Sequence, residues 1–266
     1  LGVTIGFSLI GFFDDFLKIR NKSSDGLSSK QKILFQSFIA LISMTYLYYS
    51  SEILAETSFI VPFFKDFIIP MSPFIFIFTG MFVLIASSNA VNLTDGLDGL
   101  AAGSSSIIIF TLGIFAWISG NIIFSDYLNI MYLPGIGEIV VFVAAILGSL
   151  IGFLWYNTYP AQIFMGDTGS LTLGGLIAII AILVRKELLL PILCGVFLLE
   201  TISVIVQVSY FKYSKRKYGI GKRIFLMTPI HHHFQKKGYT ESKIVTRFWI
   251  VCIMLAILSL ITLKIR

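Results

Sequence analysis

Long apolar runs separated by short polar segments dominate the chain. They lie at residues 1–13, 33–50, 73–91, 104–120, 139–157, 171–186, 190–211 and 244–263. About 20 consecutive apolar residues cross the hydrocarbon core of a bilayer as a helix. The runs are continuous rather than alternating, which favours helices over a β-barrel. The pattern therefore predicts an all-α, polytopic transmembrane helical bundle with about eight spans.

The composition agrees with an integral membrane protein. Hydrophobic residues make up 56% of the chain and charged residues only 13%, and the mean hydropathy is +0.90, far above that of an ordinary soluble domain. Since no second domain or repeat is evident, residues 1–266 are predicted to form a single membrane domain. The first run is short and begins at Leu1 without a Met, a basic flank or a cleavage site. We therefore expect no signal peptide and a chain that lacks N-terminal spans.

The basic residues are distributed unevenly between the two sides of the predicted bundle. Most of the 20 Lys and Arg residues lie in or beside the segments 14–32 and 212–243. The opposite side holds only Lys65, Arg185, Lys186, Lys264 and Arg266. The positive-inside rule predicts that the basic side faces the cytoplasm. The net charge of +6 suits anionic lipid headgroups or an anionic substrate, and no nucleic-acid partner is expected.

Three small acidic clusters stand where apolar runs stop. They are Asp14 with Asp15, Asp95 with Asp98, and Asp167. Unpaired charge in a bilayer is costly, so carboxylates at these positions call for a function. Counting the crossings places all three clusters on the cytoplasmic side. Several carboxylates at one membrane surface suggest a divalent cation, and a cation there suggests phosphate chemistry.

Basic residues accompany the first acidic cluster. Lys18 is four residues after Asp14 and shares its helix face if the helix continues. Three further lysines could line an anion pocket: Lys22, Lys30 and Lys32. The alternative is an interfacial turn with lysines that extend towards water.

The second and third clusters lie in segments rich in small and polar residues. Asn89, Asn92, Asp95 and Asp98 recur every three residues and would line one stripe of a helix. A capping loop between two spans is the alternative for this segment.

Asp167 lies between Gly166 and Gly169, and Ser170 could cap the helix that follows. Capping alone is an alternative explanation for Asp167. Phe164 could stack on a nucleobase or anchor the membrane interface.

Three consecutive histidines, His231–His233, form the fourth segment of interest. Zinc binding is one interpretation, but consecutive residues cannot all reach one tetrahedral centre, and no Cys-rich partner motif exists. Contact with phosphate or substrate is favoured. Glu200 and Gln207 share one face of the run 190–211 and point into the bundle, for a structural hydrogen bond or a substrate contact.

Together and in this order, the four segments resemble the bacterial phospho-N-acetylmuramoyl-pentapeptide transferase family, part of the polyprenyl-phosphate N-acetylhexosamine-1-phosphate transferase superfamily. The resemblance rests on Asp14-Asp15 with Lys18, on 89–99, on 164–167 and on 229–233. It implies Mg²⁺-dependent transfer of phospho-MurNAc-pentapeptide from UDP-MurNAc-pentapeptide to undecaprenyl phosphate, giving lipid I and UMP. It also implies a multi-pass protein of the bacterial inner membrane with a cytoplasmic active site, and it leaves a homodimer open.

The resemblance implies roles for individual residues. Asp167 is similar to the magnesium ligand, and Asp14 and Asp15 match an aspartate pair needed for catalysis. His231 is implied as a further catalytic residue. The implied substrate-binding residues are Lys18, Lys30, Asn92, Asp95, Asp98, Asn157, Phe164, Gln207 and His232.

Three alternatives were weighed against this interpretation. A transferase that uses UDP-GlcNAc would have a different histidine loop. A cation-coupled transporter would place its acids near the bilayer midplane. An intramembrane aspartic protease, prompted by Asp167-Thr168-Gly169, would need two carboxylates that share a proton and leaves the histidines and lysines unexplained.

Overall fold

The computed structural model describes residues 1–23, 25–62 and 68–264, apart from the side chains of residues 54 and 55. Lys65 and Arg266, assigned above to the side with few basic residues, lie outside these ranges. The longer helices are α1 (Gly2–Asn21), α2 (Ser29–Ser50), α3 (Pro73–Thr94), α4 (Leu100–Ser119), α6 (Ile139–Asn157), α7 (Gly166–Leu183), α9 (Gly195–Tyr218) and α11 (Glu241–Ile261). Shorter helices are α5 (Ile122–Leu128), α8 (Leu190–Leu193) and α10 (Ile230–Lys236).

The all-α polytopic class is confirmed. Seven helices in the described part of the chain are long and apolar enough to cross a membrane, namely α2, α3, α4, α7, α9, α11 and a segment Ile136–Asn157 that contains α6. The eighth predicted span, 1–13, lies within α1, which is 20 residues long. Its second half carries Asp14, Asp15 and Lys18, so α1 is less apolar than the other seven.

Two local features differ from the sequence-based expectation. The strands β1 (Ser58–Ile60) and β2 (Ile68–Pro70) pair as a short antiparallel hairpin, which the apolar pattern does not predict because the segment between spans is short and mixed. The segment 92–103, predicted as a connecting loop, is mostly helical, since α3 continues to Thr94 and α4 begins at Leu100. Only residues 95–99 break the helices.

Helix α7 packs closely between α1 and α3. A Cβ added at Gly11 of α1 would overlap the backbone of Asp167, and one added at Gly174 of α7 would overlap the backbone of Ser87 and Ser88. Glycine lets helix backbones approach this closely. These contacts set the positions of α1 and α3 relative to the start of α7.

One end of the bundle collects the polar segments. Contacts between Asp14 and Lys32, between Asn92 and Asp167, and between Gly99 and Asn157 join the ends of α1, α3 and α6 to the starts of α2, α7 and α4. We call this end the acidic end. The convergence of chain turns that was expected from counting crossings is thus present in the fold.

Candidate active site

Three carboxylates meet at the acidic end. Asp14 and Asp15 lie near the end of α1, and Asp167 lies in the first turn of α7. One carboxylate oxygen from each lies within 4.8 Å of the other two. We call Asp14, Asp15 and Asp167 the carboxylate cluster. Hard oxygen donors at this spacing could hold a divalent cation.

Two lysines reach into the carboxylate cluster. Lys18 Nζ lies 2.6 Å from Asp14 Oδ2, 3.6 Å from Asp15 Oδ1 and 3.5 Å from Asp167 Oδ2. Lys32 Nζ lies 3.0 Å from Asp14 Oδ1 and 2.6 Å from Asp167 Oδ2. Since three carboxylates face two ammonium groups, the cluster keeps one excess negative charge.

Asp14 is the buried member of the cluster, with a side-chain exposure of 0%. Its Oδ1 accepts a hydrogen bond from the backbone N–H of Leu27 at 2.6 Å. Its Oδ2 contacts Lys18 only as an ion pair and has no aligned hydrogen-bond donor among the described residues. A buried carboxylate oxygen without a donor is costly unless a cation approaches it.

Asp15 caps the start of α7. Its Oδ1 accepts from the backbone N–H of Asp167 at 3.2 Å, and its Oδ2 accepts from the N–H and the hydroxyl of Thr168 at 2.9 and 2.7 Å. A carboxylate is favoured at a helix N-terminus. Gly166, with φ of 63°, leaves room for this contact, because a Cβ there would lie 2.7 Å from Asp15 Oδ2. Sequence reasoning missed this role, since the cap comes from another helix.

Helix α3 orients Asp167 from the other side. The amide of Asn92 donates to Asp167 Oδ1 and contacts Ser170 Oγ, each at 2.9 Å. Ser170 itself donates to the carbonyl of Gly166 at 2.8 Å. Ser170 therefore stabilises the first turn of α7 from within, and the expectation that it caps the helix was wrong. Asn89, one turn earlier on α3, donates to Gln36 at 2.9 Å.

Asp95 follows α3 and faces both the carboxylate cluster and the histidines. Burial raises the pKa of the Asp95 carboxyl to about 7, and the negative charges of Asp167 and Asp15 add to the rise while His231 opposes it. A Cβ added at the next residue, Gly96, would overlap His231 Nε2. The short break between α3 and α4 thus brings His231 to the site.

The histidine segment forms α10, and its members have different surroundings. His231 is fully buried, with Nδ1 3.1 Å from the equally buried Glu200 Oε1, and its ring centroid is 4.2 Å from that of His232. His233 points away, because its Nδ1 accepts from the backbone N–H of Leu226 at 3.1 Å. The structure therefore places His231 and His232, but not His233, beside the break at Gly96.

Asp98 and Asn157 hold two loops together at the acidic end. Asp98 Oδ2 accepts from the backbone N–H of Ala161 at 2.9 Å. Asn157 is buried; its oxygen accepts from Gly99 N at 3.1 Å, and its amide donates to the carbonyl of Ile163 at 2.8 Å. Both side chains bond backbone groups here, so their substrate-binding roles stay predictions.

Gln207 supports the loop after α9. Its Oε1 accepts from the N–H groups of Ile224 and Phe225 at 2.9 and 3.0 Å, and its Nε2 donates to the carbonyl of Phe225 at 3.0 Å. Of the two interpretations left open for this residue, the structure shows a hydrogen-bonding role, although with a loop rather than a neighbouring span.

Two further predicted site residues are exposed. Phe164 keeps 77% of its surface accessible, so its ring face is open to a ligand. Lys30 is also exposed, and none of its described contacts reaches the carboxylate cluster; Lys32 occupies that position instead. The substrate contact expected of Lys30 stays a prediction.

Comparisons with known proteins agree with this geometry. The sequence model of the family described as "Glycosyl transferase family 4" matches residues 1–185. A phospho-N-acetylmuramoyl-pentapeptide-transferase of Flavobacterium psychrophilum is 49% identical over 99% of this chain and 74% of the relative. The chain belongs to the phospho-N-acetylmuramoyl-pentapeptide transferase family. Proteins of the same name from Vesicomyosocius okutanii and Chlorobium luteolum are each 53% identical, over 99% and 97% of the chain and 71% and 70% of the relatives.

Family membership confirms the resemblance drawn from the four segments. It also agrees with the position of the carboxylates, which lie at the ends of α1 and α7 rather than at the middle of the spans. A transporter would place such groups near the bilayer midplane. The transferase interpretation is therefore favoured over the transporter and the protease.

Proposed function

We propose that the chain transfers phospho-MurNAc-pentapeptide from UDP-MurNAc-pentapeptide to undecaprenyl phosphate, with lipid I and UMP as products. The observation that carries the proposal is the carboxylate cluster with Lys18 and Lys32 at the ends of membrane helices. Such a site can serve a soluble anionic donor and a lipid-anchored anionic acceptor at the same time.

The carboxylate cluster fits a magnesium ion. Mg²⁺ prefers oxygen ligands and is commonly held by one or two carboxylates together with substrate phosphates. Asp14, whose Oδ2 has no aligned donor, and Asp167 are the residues that would hold it. When bound, Mg²⁺ would supply neutralisation of the charge that develops on the transferred phosphoryl group. Asp15 positions Asp167 by capping α7.

Lys18 and Lys32 neutralise the phosphates in this proposal. Two phosphate groups must meet although both are negatively charged, and positioned cations at a water-poor site offset that repulsion. Both ammonium groups already lie within 3.6 Å of the carboxylates on which the phosphates would converge.

Asp14 is the better placed of the two aspartates of α1 to accept a proton from the lipid phosphate. Asp15 accepts three hydrogen bonds from α7, which fix it and lower its basicity. Asp14 Oδ2 has no aligned donor among the described residues. Geometry within hydrogen-bond reach of the acceptor is what a general base needs.

The remaining residues would bind the donor. Phe164 offers an exposed ring for stacking on uracil. His231, held by Glu200, and His232 lie beside Asp95 and Gly96, where they could contact a phosphate or sugar. We place the acidic end at the cytoplasmic surface of the bacterial inner membrane, which the uneven distribution of Lys and Arg supports. A homodimer stays a prediction.

The test is UMP release by the full-length protein from UDP-MurNAc-pentapeptide and a polyprenyl phosphate, with and without Mg²⁺. We expect turnover that requires both the metal and the lipid phosphate. Equal turnover of UDP-GlcNAc would contradict the assigned donor, and turnover in the presence of a chelator would contradict the role of the metal.

A further inference from the structure

A second cavity lies beside α10, at the other end of this helix from His231. It has a volume of about 560 Å³ and lies between α9, the loop after α9 and α10. Its lining combines Gln207, Lys212, Arg223, Met227 and Lys236 with neighbouring apolar side chains. We call it the basic pocket.

Three cations from three different elements surround the basic pocket. Lys212 belongs to α9, Arg223 to the following loop and Lys236 to α10. No carboxylate lines the cavity, and none of the ion pairs formed within residues 1–23, 25–62 and 68–264 uses these cations. Uncompensated charges of one sign that converge on a cavity attract an anion.

The walls of the pocket are held in place by side-chain hydrogen bonds. Gln207 bonds the backbone of Ile224 and Phe225, and Leu226 N donates to His233. The loop that carries Arg223 is thus anchored on both sides, so the cavity is preformed. Preformed sites lose less free energy to ordering when a ligand binds.

The chemistry of the lining is mixed. Apolar contact surface comes from Val208, Phe211, Leu226 and Met227. A simple anion such as phosphate would use the cations alone. A peptide with free carboxylates and short apolar side chains matches both parts of the lining, and a cavity of this volume can hold several residues.

The basic pocket is within reach of a donor whose phosphates lie at the carboxylate cluster. His231 packs against Gly96 near that cluster, and Lys236 is five residues further along α10. At about 1.5 Å per residue, the two positions are about 7 to 8 Å apart along the helix axis. A peptide attached to the transferred sugar could extend over this distance.

We propose that the basic pocket binds the peptide stem of the donor through its free carboxylates. The inference rests on the proposed function, since a donor without a peptide would have nothing to place there. An anionic lipid headgroup shares the negative charge and is separated from the peptide by the experiment.

The test compares two triple variants of the full-length protein. K212Q/R223Q/K236Q removes the three cations of the pocket. K215Q/R216Q/K237Q removes three exposed cations close in sequence that do not line it, so both variants change the net charge equally. KM and kcat are measured for the natural donor and for a donor whose peptide carboxyls are amidated, in vesicles with and without anionic lipid.

For the pocket variant we expect KM of the natural donor to rise by about tenfold or more with kcat unchanged, as for the loss of charge-assisted contacts. The amidated donor should show this higher KM with the wild type and no further rise with the variant. The control variant should keep the wild-type KM. Thermal unfolding in detergent should show that both variants are folded.

An unchanged KM, or an equal rise with both donors, would overturn the proposal. A defect that disappears in vesicles without anionic lipid would assign the pocket to a headgroup instead. Binding of the isolated pentapeptide, measured by titration calorimetry, gives a readout independent of turnover: Kd should weaken about tenfold in the pocket variant only. A wild type that binds the peptide but releases no UMP would contradict the proposed function alone; equal peptide binding by all three proteins would contradict the pocket alone.

Discussion

The two ends of α7 hold buried charges in opposite ways. At its start, Asp167 belongs to the carboxylate cluster, in which negative charge exceeds positive charge. Just beyond its end, Arg185 forms a closed ion pair with Glu187, and both side chains are at least 90% buried. Arg185 also donates to the carbonyls of Ser58 and Ile182, each at 3.1 Å.

The difference separates a structural role from a chemical one. The Arg185–Glu187 pair joins the β1–β2 hairpin to the end of α7 and is balanced in charge. The carboxylate cluster is unbalanced and partly accessible, with 26% of the Asp15 side chain and 32% of the Lys18 side chain exposed. Ion pairs that close on themselves hold a fold together, whereas an excess of like charge in a cleft marks a binding site.

The largest expected effect follows from Asp167→Asn. The substitution keeps the shape of the side chain and removes one charge from the cluster. Turnover should fall by about 10³-fold or more, the order of several kcal/mol of transition-state stabilisation by a metal site. Tm in detergent should change little, since the cluster gains from losing like-charge repulsion. Retention of more than a tenth of the activity would refute the assigned role.

Arg185→Met should have the opposite profile. It leaves Glu187 buried without its partner, which costs about 3–5 kcal/mol and should lower Tm by roughly 10 °C. Activity per folded molecule should stay near that of the wild type. The double variant R185M/E187M removes both charges and should recover most of the lost stability. A double variant as unstable as the single one would show that the pair is not the cause.

Gly96→Ala tests the contact that brings the histidines to the site. The added Cβ would overlap His231 Nε2, so the ring must move away from the break between α3 and α4. Turnover should fall by about ten- to a hundredfold, because small displacements of positioned groups are costly. Gly148→Ala is the matched control, since nothing lies within 4 Å of a Cβ at Gly148. Equal activities of the two variants would remove His231 from the account.

The smallest effect is a comparison of two neighbouring lysines. Lys32→Gln removes contacts of 3.0 and 2.6 Å to Asp14 and Asp167, and KM for the donor should rise by about tenfold. Lys30→Gln changes an exposed residue, and KM should stay within about twofold. The reverse order would restore Lys30 as the substrate-binding lysine and place Lys32 in a structural role.

The spans and the convergence of the acidic clusters could be predicted from the sequence. Apolar runs of bilayer length allow few structures other than helices, and the alternation of spans then brings 14–15 and 167 to the same end. The identity of the lysine could not be predicted. Lys30 and Lys32 are two residues apart on α2, about 200° around the helix. Which of them faces the site depends on the start of α2 at Ser29, after the capping box of Ser28 and Gln31.

Hydrogen bonds between distant segments were also beyond sequence reasoning. Asp15 caps α7, which begins more than 150 residues later. Asn157 and Gln207 bond backbone groups of loops whose path no local pattern specifies. A polar residue in an apolar helix signals that a partner exists, but the partner follows only from the packed bundle.

Binding of Mn²⁺ as a substitute for Mg²⁺, measured by electron paramagnetic resonance, tests the central claim most directly. The account predicts one bound Mn²⁺ per chain in the full-length wild type, displaced by Mg²⁺, and the same binding in R185M/E187M. Asp167→Asn should lose this ion while remaining folded. Undiminished binding by D167N, or loss of binding in R185M/E187M alone, would show that the metal site does not lie at the start of α7.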